Sequence, residues 1–581
     1  MTTRTAFGLA LVIAAAAAAL PAAHGARRIR LQAEAQGADR AEHAYRASNR
    51  GVARLEQFDY EAAAAQFREA LKIDPSLTAA RANLAIALYY AGQIDDAQTE
   101  ARAAQQAQPQ LAQPPYLLGL IAKGQNQADE AAAAFKRVLA IDPEDVGSRV
   151  NLGQVYLQER NAKAALPLFR EALAREPFNV TAAYGLATAL VRAGDADAGR
   201  DAMQKFQTLR DSAYGVTYAP GYLQQGRYAE AIASTGAEPE LVNEPTPDVA
   251  FVDATADSLK GASDAAGRGS AAAPSTAGGI TLFDLDGDFD EDLLVVDETS
   301  MRLYRNDGGR FTDITASAKL DVRSTGRAVG AVAGDYDNDG KVDLCLLRED
   351  GPRLFHQAAG GTFEDVTAAA LGSAAAVAGV RTGAFVDVDH DGDLDLVIAG
   401  SGPVRLLRNN GTGTFADIAA AAGLASAATA AVAIVPTDYD NRRDIDLAIV
   451  GERGPVLFQN RRDGTFADVA RDVGLAATGA VRGVAAGDVN KDGFTDFLFL
   501  RGDQPATFAM SDGRGRFTMR DAPRETAGLV AAQLLDYDND GLLDLIGAAP
   551  AGLRLFRNLG TRWADVSGRA APGAAAGVSQ I

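Results

Sequence analysis

Six acidic segments of one pattern recur along the second half of the chain. They read DLDGDFDEDLLVV, DYDNDGKVDLCLL, DVDHDGDLDLVIA, DYDNRRDIDLAIV, DVNKDGFTDFLFL and DYDNDGLLDLIGA, and begin at Asp284, Asp335, Asp387, Asp438, Asp488 and Asp536. Successive starts lie 48 to 52 residues apart. A fixed period of this size marks a supersecondary unit repeated in space, and it narrows the fold more than composition does.

The positions within each segment are equally regular. Acids stand at positions 1, 3, 5 and 9: Asp284, Asp286, Asp288 and Asp292 in the first, Asp335, Asp337, Asp339 and Asp343 in the second. The third has Asp387, Asp389, Asp391 and Asp395, and the sixth Asp536, Asp538, Asp540 and Asp544. The fifth has Asp488, Asp492 and Asp496, with Asn490 as a neutral oxygen donor at position 3. Calcium takes six to eight oxygens, and alternate short carboxylates in a tight loop aim several at one centre. Glycine at position 6 accepts the positive φ that a sharp turn needs; Phe289 stands there in the first segment. An EF-hand is excluded, because it closes with Glu at position 12 between helices. Here the last acid is at 9 and an apolar run follows. In the fourth segment Arg442 and Arg443 replace the position-5 acid and the glycine. A guanidinium there brings positive charge to where the ion would sit. About five calcium sites are therefore expected, with the Asp438–Asp446 loop empty and Arg442 paired to Asp438, Asp440 or Asp446.

Each loop is followed by two further strand-like runs, such as VRLLRNN then TFADIA. With the strand entering the loop, this makes four strands per unit, and four-stranded units of this period point to a β-propeller. Runs such as DLVIAG suit strands covered on both faces, and Cys345, the one cysteine, lies in such a run. Six blades are favoured. The segment VAFVDATADSL at 249–259 reads as an extra strand, which with the tail AAAGVSQI allows a seventh.

The first half has a different period. Pro75, Pro109, Pro143 and Pro177 are spaced by 34 residues, each closing a helix-like run such as FREALKIDP. Proline stops a helix by removing a donor and clashing with the preceding turn. Small residues recur in phase, with Gly51, Ala85, Gly119, Gly153 and Ala187 on the first helix and Ala63, Ala97, Ala131 and Ala165 on the second. Phe67, Phe135 and Phe169 fill the space beside them. Period and phase resemble the tetratricopeptide repeat (TPR) over residues 42–211, with a partial repeat at GYLQQGRYAEAIA. The resemblance implies a curved α-solenoid whose concave face presents Asn83, Tyr116, Asn151, Gln154 and Tyr184 to a peptide or protein. The plainer reading of these side chains is solvation or packing.

The later segments resemble the FG-GAP and VCBS repeat families, including bacterial relatives of cartilage acidic protein, over about residues 249–568. In that family the Asp loops bind calcium between the first two strands of a blade. Many relatives carry a further C-terminal domain of the ASPIC/UnbV type; this chain ends at Ile581, as a short form or a fragment.

The expected fold class is thus α + β multidomain, an α-solenoid followed by an all-β propeller. Residues 1–25 read as a secretory signal, with an apolar run from Ala6 to Leu20 and small residues before a cut near Gly25. Residues 26–41 read as a linker, 42–235 as the solenoid, 236–248 as a Pro- and Glu-rich linker, 249–568 as the propeller and 569–581 as a tail. The chain is then secreted or periplasmic, with no membrane span once the signal is removed. The formal net charge is −20, which argues against nucleic acid, whose phosphates need clustered Lys and Arg. The 22 acids at the loop positions are about as many as the whole negative excess, so the acidity reports metal more than a basic partner. Four histidines and one cysteine leave little for a zinc site or a Ser-His-Asp triad. The leading expectation is a non-enzymatic calcium-binding scaffold, with peptide or protein in the TPR groove and protein or glycan on the propeller. The alternatives are a propeller enzyme (glycan lyase, hydrolase or phosphoesterase) and a surface adhesion module.

Overall fold

The computed structural model describes residues 43–210, 215–233, 249–252, 254, 258 and 278–570, except 289, 298–299, 321–326, 425–429, 443, 476–478, 514 and 539. The expected signal, both linkers, Phe289 and Arg443 lie outside the described residues, as does the tail beyond Ala570. The chain divides into two compact units, the first built mainly from Met1–Phe206 and Thr217–Thr246, the second mainly from Pro247–Asp538 and Leu542–Ile581.

Among its described residues the first unit is a stack of ten helices: α1 (residues 43–56), α2 (Tyr60–Ile73), α3 (Thr78–Tyr90), α4 (Ile94–Ala107), α5 (Gln113–Gly124), α6 (Ala128–Ile141), α7 (Val146–Gln158), α8 (Ala162–Arg175), α9 (Val180–Ala193) and α10 (Ala196–Arg210). Helices α2, α4, α6 and α8 each end two residues before one of the four periodic prolines, as the missing donor requires. Several even helices are shielded by a phenylalanine set against a glycine. A Cβ on Gly51 would stand 2.6 Å from Phe67, on Gly119 2.8 Å from Phe135, and on Gly153 2.7 Å from Phe169. The in-phase glycines are therefore packing requirements, since no side chain fits at that approach.

One expectation fails here. Residues 221–233 are no partial helical repeat. Apart from one turn at Arg227–Ala229 the segment is irregular. Leu223 (φ 66°) and Gly226 (φ 98°) take left-handed backbone, which ends helix growth within a turn.

Among its described residues the second unit is six sheets of four antiparallel strands in chain order. Blade one is β1 (Gly278–Phe283), β2 (Asp292–Asp297), β3 (Met301–Asn306) and β4 (Phe311–Asp313); blade two is β5 (Ala328–Gly334), β6 (Asp343–Arg348), β7 (Arg353–Ala358) and β8 (Thr362–Asp365). Blade three is β9 (Val380–Val386), β10 (Asp395–Gly400), β11 (Arg405–Asn409) and β12 (Phe415–Asp417); blade four is β13 (Ala431–Thr437), β14 (Asp446–Gly451), β15 (Val456–Asn460) and β16 (Phe466–Asp468). Blade five is β17 (Gly483–Gly487), β18 (Asp496–Arg501), β19 (Gln504–Ser511) and β20 (Phe517–Asp521); blade six is β21 (Ala531–Leu535), β22 (Asp544–Ala549), β23 (Gly552–Asn558) and β24 (Trp563–Asp565). This is a six-bladed β-propeller. The described residues of the upstream segment form no strand; the Phe251 N–H donates to the Ala570 carbonyl (2.6 Å).

The cores lie between blades. On β10, Leu396 and Ile398 pack into the core shared with blade two, while Val397 and Ala399 pack into the core shared with blade four. Alternation therefore distributes one strand between two interfaces, which is why DLVIAG is buried at every position. Cys345 is fully buried in the seam between blades two and three. On β1, Phe283 faces the seam with blade two, whereas Ile280 and Leu282 on the opposite face are 53% and 59% exposed.

Candidate functional site

The six loops join the first and second strands of each blade. Position 1 braces the turn: Asp335 accepts the N–H groups of Asp339 (3.1 Å) and Gly340 (2.9 Å), and Asp387 and Asp488 do the same in their loops. Gly340, Gly392, Gly493 and Gly541 at position 6 all have positive φ. So do Asn338, His390, Asn441 and Lys491 at position 4, a second left-handed position that the sequence reading overlooked.

Position 9 is the anchor. Asp395 accepts Asn409 N–H at Oδ1 (2.8 Å) and Val388 N–H at Oδ2 (3.1 Å). The same pair of bonds holds Asp292, Asp343, Asp496 and Asp544. The fourth loop differs. Asp446 Oδ1 accepts Asn460 N–H (2.7 Å), but Asp446 Oδ2 is buried without a partner.

Positions 1, 3 and 9 converge. Carboxylate oxygens of Asp284, Asp286 and Asp292 lie within 4.8 Å of one another, as do those of Asp335, Asp337 and Asp343, and of Asp387, Asp389 and Asp395. Position 5 turns back on its own loop, where Asp288, Asp339, Asp391 and Asp492 each accept the N–H two residues on, while Asp339 also lies within 4.8 Å of Asp337 and His356. Burial pushes the Asp343 carboxyl up to about 6 and those of Asp395 and Asp496 up to about 7, neighbouring carboxylates adding to the effect. Asp389 is raised to about 6 for the same reasons, and its Oδ1 is buried without a partner. Crowded, desolvated carboxylates with an orphaned oxygen fit a hard cation.

In three blades the third strand supplies a further group beside the loop. In blade six the Arg557 guanidinium pairs with Asp538 (2.7 Å), both buried. In blade two His356 Nδ1 lies 3.2 Å from both Asp337 and Asp343. In blade four Gln459 Nε2 donates to Asp440 (2.8 Å), on which the Arg442 guanidinium also closes (3.0 Å). Asp438, Asp440 and Asp446 still converge in that loop. Arg302, Arg405 and Arg554, the recurrent third-strand arginines, pair instead with Asp313, Asp417 and Asp565 of the fourth strands.

In the helical unit, residues 217–233 lie against the side chains expected to face a peptide. Asn83 is fully buried and exchanges two hydrogen bonds with Ile232: its Nδ2 donates to the carbonyl (2.9 Å) and its Oδ1 accepts the N–H (2.7 Å). Tyr116 donates to the Gln225 carbonyl and accepts from Asn151 Nδ2 (3.1 Å). Gly226 is required beside it, because a Cβ there would stand 2.6 Å from the Tyr116 hydroxyl. Tyr222 donates to Glu56 (2.7 Å) and packs on Tyr60 and Tyr90. Tyr228 donates to Asp142 (3.0 Å), and the Tyr218 N–H donates to Thr181 (2.9 Å).

Beyond Thr181 a cleft of about 970 Å³ stays open, lined among others by Lys123, Gln154, Arg160, Tyr184 and Arg192. Lys123 Nζ donates to Asn151 Oδ1 (2.7 Å) and to Gln154. Burial pulls its ammonium down to about 8.

Against known families, residues 54–124, 116–145 and 150–214 match tetratricopeptide repeats, and 284–346, 335–398, 387–449 and 438–499 match the FG-GAP-like repeat. The chain carries TPR repeats followed by FG-GAP-like repeats. It is similar to cartilage acidic protein 1 of Xenopus tropicalis, 26% identical over 331 residues (48% of this chain, 50% of that protein). The Mus musculus protein is 27% identical over 315 residues (46% and 47%). The chain spans about half the length of the curated relatives it matches. A solved Agrocybe aegerita lectin that specifically recognises non-reducing terminal N-acetylglucosamine is 18% identical, covering 49% of this chain and 78% of its own, with a TM-score of 0.37.

Of the five expected TPR groove residues, Asn83, Tyr116 and Asn151 are thus joined in one network with the chain's own segment, while Gln154 and Tyr184 line the open cleft. Tyr184 is half exposed, its ring 5.1 Å from Phe206. Lys123, Glu56 and the Tyr60–Tyr90–Tyr222 group were missed. None sits at a conspicuous repeat position, and their role depends on an irregular segment that periodicity cannot place. In the FG-GAP-like blades Arg557, His356 and Gln459 were missed for a similar reason: they reach the loop across a hairpin, about 20 residues later in the chain.

Proposed function

We propose that this chain is an exported calcium-binding scaffold whose TPR unit binds an extended peptide or protein segment and whose propeller binds protein or glycan. TPR and FG-GAP-like modules together indicate a protein-interaction scaffold. The observation that carries the peptide reading is the seating of residues 217–233, whose main chain is recognised by Asn83 and Tyr116. A surface that holds irregular backbone through amide and hydroxyl groups is chemically a peptide site.

Calcium would be held by the triplets at positions 1, 3 and 9 of loops one, two, three and five, with Asn490 as the third-position donor in the fifth. Asp536, Asp538 and Asp544 would do so in the sixth, where Arg557 competes. The ion would neutralise the crowded carboxylates and stiffen loops that lie at the seams between blades. Among the described residues no helix is long and apolar enough to cross a membrane, and the secretory signal remains part of this proposal.

The test is affinity capture from the native envelope, with and without a calcium chelator, using the full chain and its Asn83→Ala and Tyr116→Phe variants. A partner whose capture changes in these variants supports the scaffold reading. Capture indifferent to groove substitutions and chelator alike, or turnover of a glycan or ester at enzymatic rates, sinks it.

A further inference from the structure

We infer that the face of blade one turned away from blade two is a docking surface for a β-sheet of another polypeptide, three antiparallel strands wide and apolar on both faces, which packs there as a further blade. This rests on the reading of the propeller as a protein-binding module and gives that module a surface and a partner class.

The five seams from blade one through blade six are each filled by side chains from both blades. The cluster on the far side of blade six, with Tyr537, Ile546 and Leu555, takes in no residue of blade one among the described residues. The second strands record the same difference. Strands β6, β10, β14 and β22 are buried at every position, and β18 at all but the last, whereas Leu293 and Val295 of β2 are only partly covered. Strand pairing sets Leu293 opposite Leu282 and Val295 opposite Ile280, the two side chains of β1 that are more than half exposed. In blade six the places of Leu282 and Leu293 hold Leu534 and Leu545, which pack on blade five. The Asn306 side chain differs from its counterparts as well. Asn409, Asn460 and Asn558 each donate to the preceding blade; Asn306, among the described bonds, donates only to the Glu291 carbonyl of its own blade (3.1 Å). A contiguous apolar face left open in this way marks an interaction site.

The kind of occupant follows from one hydrogen bond. At three seams a phenylalanine at the start of the fourth strand donates its N–H to the turn after the preceding blade: Phe363 to Ala318 (2.9 Å), Phe466 to Ala422 (2.8 Å) and Phe517 to Val473 (2.8 Å). Past blade six the Phe251 N–H takes this place on Ala570, and the sequence around it, VAFVDAT, follows the TFEDVT pattern of a fourth strand. Phe251 therefore sits where the outermost strand of a blade begins, and in this repeat three strands lie inside the outermost one. All six acidic-loop units of the sequence already stand in blades, which points to another polypeptide. A second copy does not fit, because its matching side chains, Ile546, Leu555 and Val566, are already buried.

The test uses as probe a labelled peptide of residues 483–511, which carries strands β17 to β19, titrated against the full chain in calcium by fluorescence anisotropy. The expected result is saturable binding, none by a scrambled peptide, and about tenfold weaker binding by the Ile280→Asp/Leu282→Asp double variant, since charge replaces two apolar anchors. A second measurement is maleimide labelling of Ile280→Cys; Cys345 is fully buried, so the introduced thiol is the one that reacts. Labelling should be fast in the chain alone and slowed by the peptide, and it decides the matter if the double variant fails to fold by circular dichroism. Absence of peptide binding, equal binding of the scrambled peptide, or unchanged binding by the folded double variant overturns the inference. Labelling already slow in the chain alone also overturns it, and sedimentation then separates cover by a second copy from cover by the chain's own residues. Each of these results leaves the groove reading, which stands on residues 217–233, untouched.

Discussion

A side-chain amide at the end of the third strand ties one blade to the blade before it. Asn409 donates to Tyr336 and Leu394 carbonyls, Asn460 to those of Val388 and Ile445, and Asn558 to those of Val489 and Leu543. Gln357 reaches Leu285 in the same way. In each pair the acceptor in the preceding blade is position 2 of its acidic loop, so loop and seam are one construction. Asn460→Ala should lower unfolding free energy by about 2–3 kcal/mol, since two buried carbonyls lose their donor; denaturant titration checks this, and a loss within error would mean water takes over both bonds. Blade five carries Ser511 at this place, and the serine hydroxyl accepts only from Gly513 N–H (3.2 Å) among the described bonds. Arg557 poses the second residue-scale question. Arg557→Leu should raise calcium affinity at the sixth loop by freeing Asp538, read as an added binding event in calorimetric titration. An unchanged isotherm would show that the arginine does not compete with the ion.

At the scale of elements, the acidic loops set the pH dependence of the metal-free propeller. Asp395 and Asp496 hold their protons up to about pH 7, against about 3.9 for a free aspartate. A raised carboxyl stabilises the folded state most at low pH and loses that contribution as pH climbs through the folded value. In chelator, Tm should therefore fall between about pH 4 and 7, while saturating calcium should flatten the curve; a metal-free Tm that rises across this range contradicts the burial of these groups. Strand β1 gives a different prediction. Ile280→Thr and Leu282→Thr should each change stability by no more than about 0.5 kcal/mol, as exposed sites do, whereas Leu294→Ala in the packed seam should cost about 2–5 kcal/mol. Equal costs at the two places would show that Ile280 and Leu282 are covered. Much of this architecture was legible in the sequence, because it is periodic. The 34-residue spacing located the helix ends, and the Asp spacing located the six loops. Hidden from it were contacts made without period: Asn409 on Tyr336 lies 73 residues away, and Asn83 meets Ile232 across 149. The 221–233 stretch resembles a repeat in composition, but Gly226 and Leu223 turn its backbone out of the helix.

On the scale of the whole molecule, the two modules should respond separately to calcium. Chelation should lower the unfolding temperature of the propeller transition and leave that of the TPR transition in place, since the converging triplets described above lie in the second unit. Each site at a hundredfold excess of calcium over its Kd contributes about 2.7 kcal/mol. A calorimetric scan resolves this, and an equal shift of both transitions would contradict it. The seating of residues 217–233 has a further consequence for any partner. A segment attached to its own site competes at an effective concentration of roughly millimolar, whatever the amount of protein present. An outside peptide of equal intrinsic affinity must approach that concentration before it holds half the groove. Tethering of this kind acts as a threshold: weak, abundant sequences are turned away, and entry goes to a ligand that gains something the internal segment lacks.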